Sequence, residues 1–206
     1  MATMRTGQVH DLPEIRRALT VFYQPDDVVE LRSLGVGGKT VAGYFDDHAK
    51  LAEAAAKLSG SAAGVYVVLN EFTPALLARS ANRLTTGPKT LTQDKDIIRR
   101  RYLAIDIDAK RPSGISSTNA EHDAAIQVAR KIKEYLVGLG FPADSIIMGD
   151  SGNGGHLLGR VDLPNDTNNT NLIKSCLEAL ATRFDDDAVS IDPGVFNAAR
   201  RANSGL

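Results

Sequence analysis

Apolar and polar positions along the chain alternate with two different periods. Where apolar residues recur every three or four positions, the pattern predicts α-helices, at residues 12–22, 47–58, 118–139 and 172–184, with a short helix at 74–79. Shorter apolar or alternating runs predict strands, at residues 28–34, 40–45, 64–69, 102–108, 145–148, 156–163 and 188–192. Thr118 followed by Glu121 is a capping-box pattern, and it predicts where the third long helix begins.

The order of these elements predicts an α+β protein with two lobes. The polar stretch at 83–96 contains Gly87 and Pro88 and is our candidate connection, so we assign an N-terminal α/β lobe to 1–90 and a second lobe to 91–206. The second lobe has the order βαββαβ, which is the ferredoxin-like arrangement. Both of its helices are expected on one face of a sheet, and the other face is expected to be open.

Acidic residues fall on the predicted open face. Because strand side chains alternate, the apolar residues of 102–108 point to one side, and Asp106 and Asp108 point to the other. Asp192 has the same outward position in the last strand. Like charges side by side destabilise a sheet unless a cation lies between them, and carboxylates suit Mg²⁺ or Mn²⁺. The acidic run 185–187 is a rival third ligand, but its place at a helix end favours a solvated loop.

A glycine-rich turn at 150–155 precedes His156, which the alternation places on the same open face. Glycines allow backbone N–H groups to approach a phosphate closely, so the turn could be an anion site. A tight hairpin that needs glycine only for a positive φ explains the same residues equally well. The nearby acids favour the phosphate interpretation.

Composition limits the possible functions. The net charge is −1, so any contact with nucleic acid should be local and sensitive to salt. A single cysteine, Cys176, excludes an internal disulfide in this sequence and favours a reducing, cytoplasmic setting. Residues 1–11 do not resemble a signal peptide, and no apolar run reaches transmembrane length, so we expect no membrane partner.

Taken together and in order, Asp106-x-Asp108, the segment from Ser151 to His156 and the apolar-Asp192 motif resemble the archaeo-eukaryotic primase superfamily. The resemblance is strongest to the primase-polymerases of bacteria, phages and mobile elements. In that family an RNA-recognition-like catalytic half follows an α/β half, which would cover nearly all of this chain. The family pattern usually continues beyond the final arginine, here Arg200, so we expect the sequence to be a fragment of a longer one.

The resemblance implies a DNA primase or polymerase that transfers nucleotides to make and extend primers in replication. It implies two Mg²⁺ or Mn²⁺ ions bound by the three acids, and nucleoside triphosphates, a single-stranded DNA template and a helicase domain or subunit as partners. The implied nucleotide-binding residues are Ser151, Asn153, Gly154, His156 and Arg200. Other basic residues near these strands are expected to be solvated: Lys95, Arg99, Arg100, Arg101 and Arg201.

Two alternatives remain open at this stage. The same acids could serve a metal-dependent nuclease or phosphoesterase, or the chain could be an inert nucleic-acid-binding module of replication.

For the strand order 4-1-3-2 we further expect the two central strands to run parallel. His156 and Asp108 would then lie near opposite strand ends, about 10 Å apart. We therefore expect His156 to bind phosphate and not a metal ion.

Overall fold

A computed structural model describes residues 11–112 and 114–203, and the account below concerns these residues. The protein is mixed α+β with two antiparallel sheets. In the described ranges no helix has the length and apolar character needed to cross a membrane. We expected no signal peptide from residues 1–11, but residues 1–10 lie outside the described residues. The end of the chain from residue 204 lies outside them too.

The helices and strands follow the predicted order with several additions. The helices are α1 (Leu12–Phe22), α2 (His48–Leu58), α3 (Asn119–Gly138) and α4 (Thr167–Phe184). The strands are β1 (Val29–Val36), β2 (Lys39–Phe45), β3 (Gly64–Val68), β4 (Glu71–Phe72), β5 (Thr85–Thr86), β6 (Ile97–Ala109), β7 (Ile146–Asp150), β8 (Gly154–Pro164), β9 (Val189–Ile191) and β10 (Arg201–Asn203). Short 3-10 helices lie at Pro74–Arg79, Asp94–Asp96, Ala143–Ser145 and Pro193–Phe196.

Contacts divide the described chain into two compact units. The first unit consists of the residues up to Asp96 together with those from Arg201 onward, and the second unit spans Ile97–Arg200. The expected lobe boundary was residue 90. The stretch up to 96 stays with the first unit because Glu30 in β1 accepts a hydrogen bond from the backbone N–H of Thr92 at 2.8 Å. Glu30 is fully buried, so this bond holds the polar connection against the first sheet.

The first unit contains an antiparallel sheet with the strand order β10-β3-β1-β2-β5. Helix α2 packs on this sheet through a buried face that includes Leu51, Ala55 and Leu58. The carboxylate of Asp47 accepts hydrogen bonds from the first backbone N–H groups of α2, so α2 begins directly after this residue.

In the second unit β6 lies between β8 and β9, and β7 pairs with the other side of β8. Helices α3 and α4 share one apolar core with this sheet, in which Ile107, Ile132 and Leu177 are completely buried. Helix α3 begins with the expected reciprocal cap, in which Thr118 and Glu121 bind each other's backbone N–H groups. The helices therefore leave the acidic face of the sheet on the opposite side.

The expected parallel pairing of the central strands is wrong, because β6 and β8 are antiparallel. The connection through α3 returns the chain so that β7 runs in the same direction as β6. The tight turn into β8 then reverses the chain, and β8 enters the space between β6 and β7. The consequence is that Asp106 and His156 lie directly opposite each other and are not separated along the sheet.

Candidate functional site

The register of three strands brings the acids together at one end of the second sheet. Asp106 in β6 lies opposite His156 in β8, and two residues farther along Asp108 lies opposite Ser190 in β9. The backbone N–H of Asp192 donates to the carbonyl oxygen of Asp106 at 3.1 Å, just beyond the last β9 pair. Directly opposed residues have Cβ atoms about 5 Å apart, so these side chains share one small area of the face.

Asp106 is held from two sides. Its Oδ1 lies 2.8 Å from Nδ1 of His156, and its Oδ2 accepts a 2.8 Å hydrogen bond from Nη2 of Arg200. Burial by itself would raise the pKa of this carboxyl, but the hydrogen bond from His156 and the positive charge of Arg200 outweigh it. The pKa of Asp106 is therefore below its ordinary value, and the group is ionised at neutral pH.

Asp108 behaves in the opposite way. Burial and the negative charge of Asp106 raise its pKa, Asp192 adds to that rise, and Arg111 opposes it. Nη2 of Arg111 lies 4.0 Å from Oδ1 of Asp108, and its Nε and Nη1 donate to the carbonyl oxygens of Ile115 and Ala109. We did not identify Arg111 from the sequence, since one arginine in a loop after a strand has no periodic signal.

The face that we expected to be open is only partly exposed. Tyr102 and Leu158 lie on it, yet they are 6% and 5% exposed. Exposure returns toward the acidic end, where the side chain of His156 is 28% exposed and that of Asp108 47%. A ligand can therefore reach this face at its acidic end.

The glycine-rich turn uses its own hydrogen-bonding groups internally. The Ser151 hydroxyl donates to the carbonyl oxygen of Gly154 and accepts from the N–H groups of Asn153 and Gly154. The N–H of Gly152 donates to the carboxylate of Asp150. In this conformation the amides that were expected to bind phosphate are occupied, and the Ser151 hydroxyl closes the turn.

Each glycine of this segment has a local steric reason. Gly152 has a positive φ of 77°, as the hairpin explanation required. A Cβ atom at Gly154 would overlap the carbonyl oxygen of Ile107, and a Cβ at Gly155 would lie 2.9 Å from the Cβ of Ala129 in α3. Close packing of β8 against β6 and α3 therefore explains two of the glycines without a ligand.

We expect Gly154→Ala to destabilise the second unit by about 1–3 kcal/mol, because the added methyl group forces β8 away from β6. The matched control is Gly138→Ala at the end of α3, where a Cβ meets no described atom within 4 Å. The control should unfold at the wild-type temperature or slightly above it. Thermal unfolding followed by circular dichroism measures both variants. Equal midpoints for the two variants would contradict the steric explanation.

The first turn of α3 and the residues just before it hold the glycine-rich turn in place. Nε2 of His122 lies 2.8 Å from Oδ1 of Asp150, and the backbone N–H of Ser117 donates to Oδ1 of Asn153 at 3.1 Å. The hydrogen bond with Asp150 raises the pKa of His122, and Asp123 at 3.7 Å adds to the rise. The same bond, with the N–H of Gly152, lowers the pKa of Asp150. The hydrogen bond that Asn153 accepts from Ser117 means that its side chain orders the turn in this conformation.

This link between His122 and Asp150 should depend on pH. The raised pKa of His122 means that its contribution is complete below the ordinary value of 6.5 and is lost as the pH rises through the folded-state pKa. The lowered pKa of Asp150 means that its contribution is present above 3.8 and is lost in acid. We expect His122→Gln to lower the melting temperature more at pH 6 than at pH 8.5. Equal decreases at both pH values would exclude the charged link.

Two other groups of charged residues have structural roles. Arg100 is 4% exposed, and its guanidinium donates to the carbonyl oxygen of Phe196 and to the side chains of Asn165 and Thr170. It was expected to be solvated, but it is buried and holds the segment between Asp192 and Arg200. The carboxylates of Asp185 and Asp186 accept backbone N–H groups of the loop before β9 and of β9 itself, in agreement with the loop interpretation.

The donor chemistry fits a hard divalent cation, but the described side chains are not arranged around a common binding position. Asp106, Asp108 and Asp192 supply carboxylate oxygens, and their mutual repulsion acts on the pKa of Asp108. Both oxygens of Asp106 are engaged by His156 and Arg200. Across residues 11–112 and 114–203 no group of three or more His, Cys, Asp or Glu side chains is arranged to hold a metal ion. An ion would therefore need at least a change at Asp106.

Comparisons with protein-family models, with curated proteins and with solved structures find no match to this chain.

Proposed function

We propose that the protein is a DNA-templated primase or polymerase that joins nucleotides from nucleoside triphosphates. The observation that carries the proposal is the meeting of Asp106, Asp108 and Asp192 at one accessible end of a sheet, next to His156 and Arg200. Acids so close together that, besides burial, the negative charges of Asp106 and Asp192 raise the pKa of Asp108 are typical of a cation-dependent site. The order of the motifs along the chain matches that of the primase-polymerases.

The arrangement of the second unit supports the same proposal. Its strands have the spatial order β9-β6-β8-β7, all antiparallel, with α3 and α4 sharing a core on one face. This is the order of an RNA-recognition-like, or ferredoxin-like, lobe, and we include that assignment in the proposal. Such a lobe carries its acids on the face opposite the helices.

Each side chain has a defined part in the proposed reaction. Asp106, Asp108 and Asp192 would hold Mg²⁺ or Mn²⁺, which would lower the pKa of the attacking hydroxyl and stabilise the leaving pyrophosphate. His156 uses Nδ1 toward Asp106, so Nε2 is the ring nitrogen that a phosphate oxygen would meet. Arg200 would bind the triphosphate and offset its negative charge.

The glycine-rich turn has an indirect part in this proposal. Its amides and the Ser151 hydroxyl close the turn, and the contacts of His122 and Ser117 hold it against α3. The turn therefore determines where β8 begins and, two residues later, where the imidazole of His156 lies. Ser151, Asn153 and Gly154 position the nucleotide-binding residue in this conformation.

An incorporation assay tests the proposed function. The protein is incubated with single-stranded DNA, with and without a primer, with NTPs or dNTPs and with Mg²⁺ or Mn²⁺. We expect template-dependent extension that requires the divalent ion and is lost in Asp108→Asn. Extension that persists in Asp108→Asn, or no extension under any of these conditions, would overturn the proposal.

The products of the same assay distinguish the alternatives. A nuclease or phosphoesterase would shorten the DNA, and an inert nucleic-acid-binding module would leave it unchanged while retaining DNA binding. The low net charge of the sequence supports a helicase domain or subunit as the source of most DNA affinity. The single cysteine supports a reducing, cytoplasmic setting as part of the proposal.

A further inference from the structure

Arg200 occupies the carboxylate that lies at the centre of the acidic site. Its Nη2 is 2.8 Å from Oδ2 of Asp106, and the two side chains are 30% and 18% exposed. A hydrogen bond between a guanidinium and a carboxylate is stronger when both groups are partly withdrawn from water. The contact therefore stabilises the ionised carboxylate of Asp106.

A divalent ion at Asp106 would compete with this contact. Oδ1 of Asp106 faces His156, so Oδ2 is the oxygen next to which an ion would have to bind, and it is the one that Arg200 occupies. Two cations cannot share this oxygen at contact distance without strong repulsion. We propose that Arg200 is a built-in counter-ion, which pairs with Asp106 when no divalent ion is bound and must leave Asp106 before an ion can bind.

The second arginine at the site is not an equivalent counter-ion. Arg111 is 4.0 Å from Asp108, and two carbonyl oxygens fix its guanidinium, that of Ala109 at the end of β6 and that of Ile115 in the following loop. Arg111 can remain in place when an ion binds, whereas Arg200 must exchange its partner. A triphosphate offers Arg200 that new partner, because guanidinium groups bind phosphate oxygens in a two-point geometry.

This exchange couples the two ligands of the site. A nucleotide that draws Arg200 from Asp106 removes the competitor of the metal ion, and a metal ion at Asp106 releases Arg200 for the nucleotide. By linkage, each ligand then strengthens the binding of the other by the same factor. The inference rests on the proposed function, since it assumes that the acids bind metal, and it adds an order-independent coupling between metal and nucleotide.

Mn²⁺ binding without nucleotide tests the counter-ion directly. Free Mn²⁺ is measured by electron paramagnetic resonance during titration of wild type, Arg200→Gln and Arg99→Gln. Arg99 is a matched control because it also carries one positive charge, pairs with Asp162 at the surface and lies seven strand residues from Asp106, roughly 23 Å away. We expect Arg200→Gln to bind Mn²⁺ about tenfold more tightly and Arg99→Gln to bind it as wild type does.

Arg200→Lys separates competition from the general loss of positive charge, and it provides a second variant if Arg200→Gln does not fold. A lysine keeps the charge but pairs with a carboxylate at one point, so its Mn²⁺ affinity should fall between those of wild type and Arg200→Gln. Mn²⁺ affinity that is unchanged or weaker in both Arg200 variants would overturn the counter-ion proposal.

Asp108→Asn distinguishes this failure from failure of the proposed function. If wild type binds Mn²⁺ and Asp108→Asn weakens that binding, the acidic site is a metal site, and the Arg200 variants alone decide the inference. If wild type does not bind Mn²⁺, or Asp108→Asn has no effect, the metal site itself is refuted and the inference falls with it.

Discussion

Asp106→Asn is expected to lower nucleotide incorporation by about a thousandfold, which corresponds to about 4 kcal/mol of transition-state stabilisation. Asp106 is the carboxylate that the neighbouring strands, His156 and Arg200 all surround, and its pKa is kept below the ordinary value. The amide cannot supply the negative charge that a divalent ion or Arg200 requires. Single-turnover extension of a labelled primer measures the loss.

Asp162→Asn is the matched control for this result. Asp162 lies on β8, the strand that pairs with the strand of Asp106. Its side chain is 76% exposed and pairs with Arg99 away from the acids. We expect this variant to extend the primer at the wild-type rate. A similar loss in both variants, or no loss in Asp106→Asn, would show that the acidic site does not carry the reaction. Circular dichroism establishes that each variant is folded.

Glu30→Ala is expected to lower the free energy of unfolding by about 3–5 kcal/mol. Glu30 is completely buried, with Oε1 2.6 Å from the guanidinium of Arg32 and Oε2 bound to the N–H of Thr92. Its removal leaves a 9% exposed arginine and a buried backbone donor without their acceptor. Urea denaturation followed by circular dichroism measures the change.

Glu53→Ala provides the comparison, because it removes the same residue type from an exposed pair. Glu53 lies 3.9 Å from Arg16, and both side chains are about half exposed, at 53% and 52%. Its loss should cost less than about 1 kcal/mol. A Glu30→Ala variant as stable as Glu53→Ala would refute the assigned role of the buried pair. Replacing Glu30 and Arg32 together with Leu and Met should recover much of the stability, since no charge then remains buried.

The long elements were predictable from sequence because each contains its own signal. The apolar repeat and the Thr118–Glu121 cap located α3, and the apolar run with outward acids located the C-terminal half of β6. The N-terminal half of β6 was missed, since Arg99, Arg100 and Arg101 resemble a solvated run. Only the buried hydrogen bonds of Arg100 explain its presence in a strand. The strands β4, β5 and β10 have two or three residues each and are too short to show a period.

The placement of Asp106 and Asp108 on one face was predictable from the sequence, but the contacts of these acids were not. Alternation along β6 identified Asp106 and Asp108 as neighbours on one face, and this requires no knowledge of the rest of the fold. The contact of His156 with Asp106 depends on the direction and register of β8. We expected β8 to run parallel to β6, which would have placed His156 and Asp108 near opposite ends of the strands. The internal closure of the turn by Ser151 also required coordinates, because a glycine-rich turn and an open phosphate site share the same residues.

The amino-acid sequence by itself determined the long helices and strands, the side of β6 on which the acids lie, and the accumulation of negative charge there. These properties depend on residues close together in the chain. Only the tertiary structure decided that Asp106 lies between His156 and Arg200, that Arg111 is near Asp108, and that Arg100 is buried. Those contacts join residues separated by 50 to 96 positions or by an irregular loop, and strand register and packing alone determine such distances.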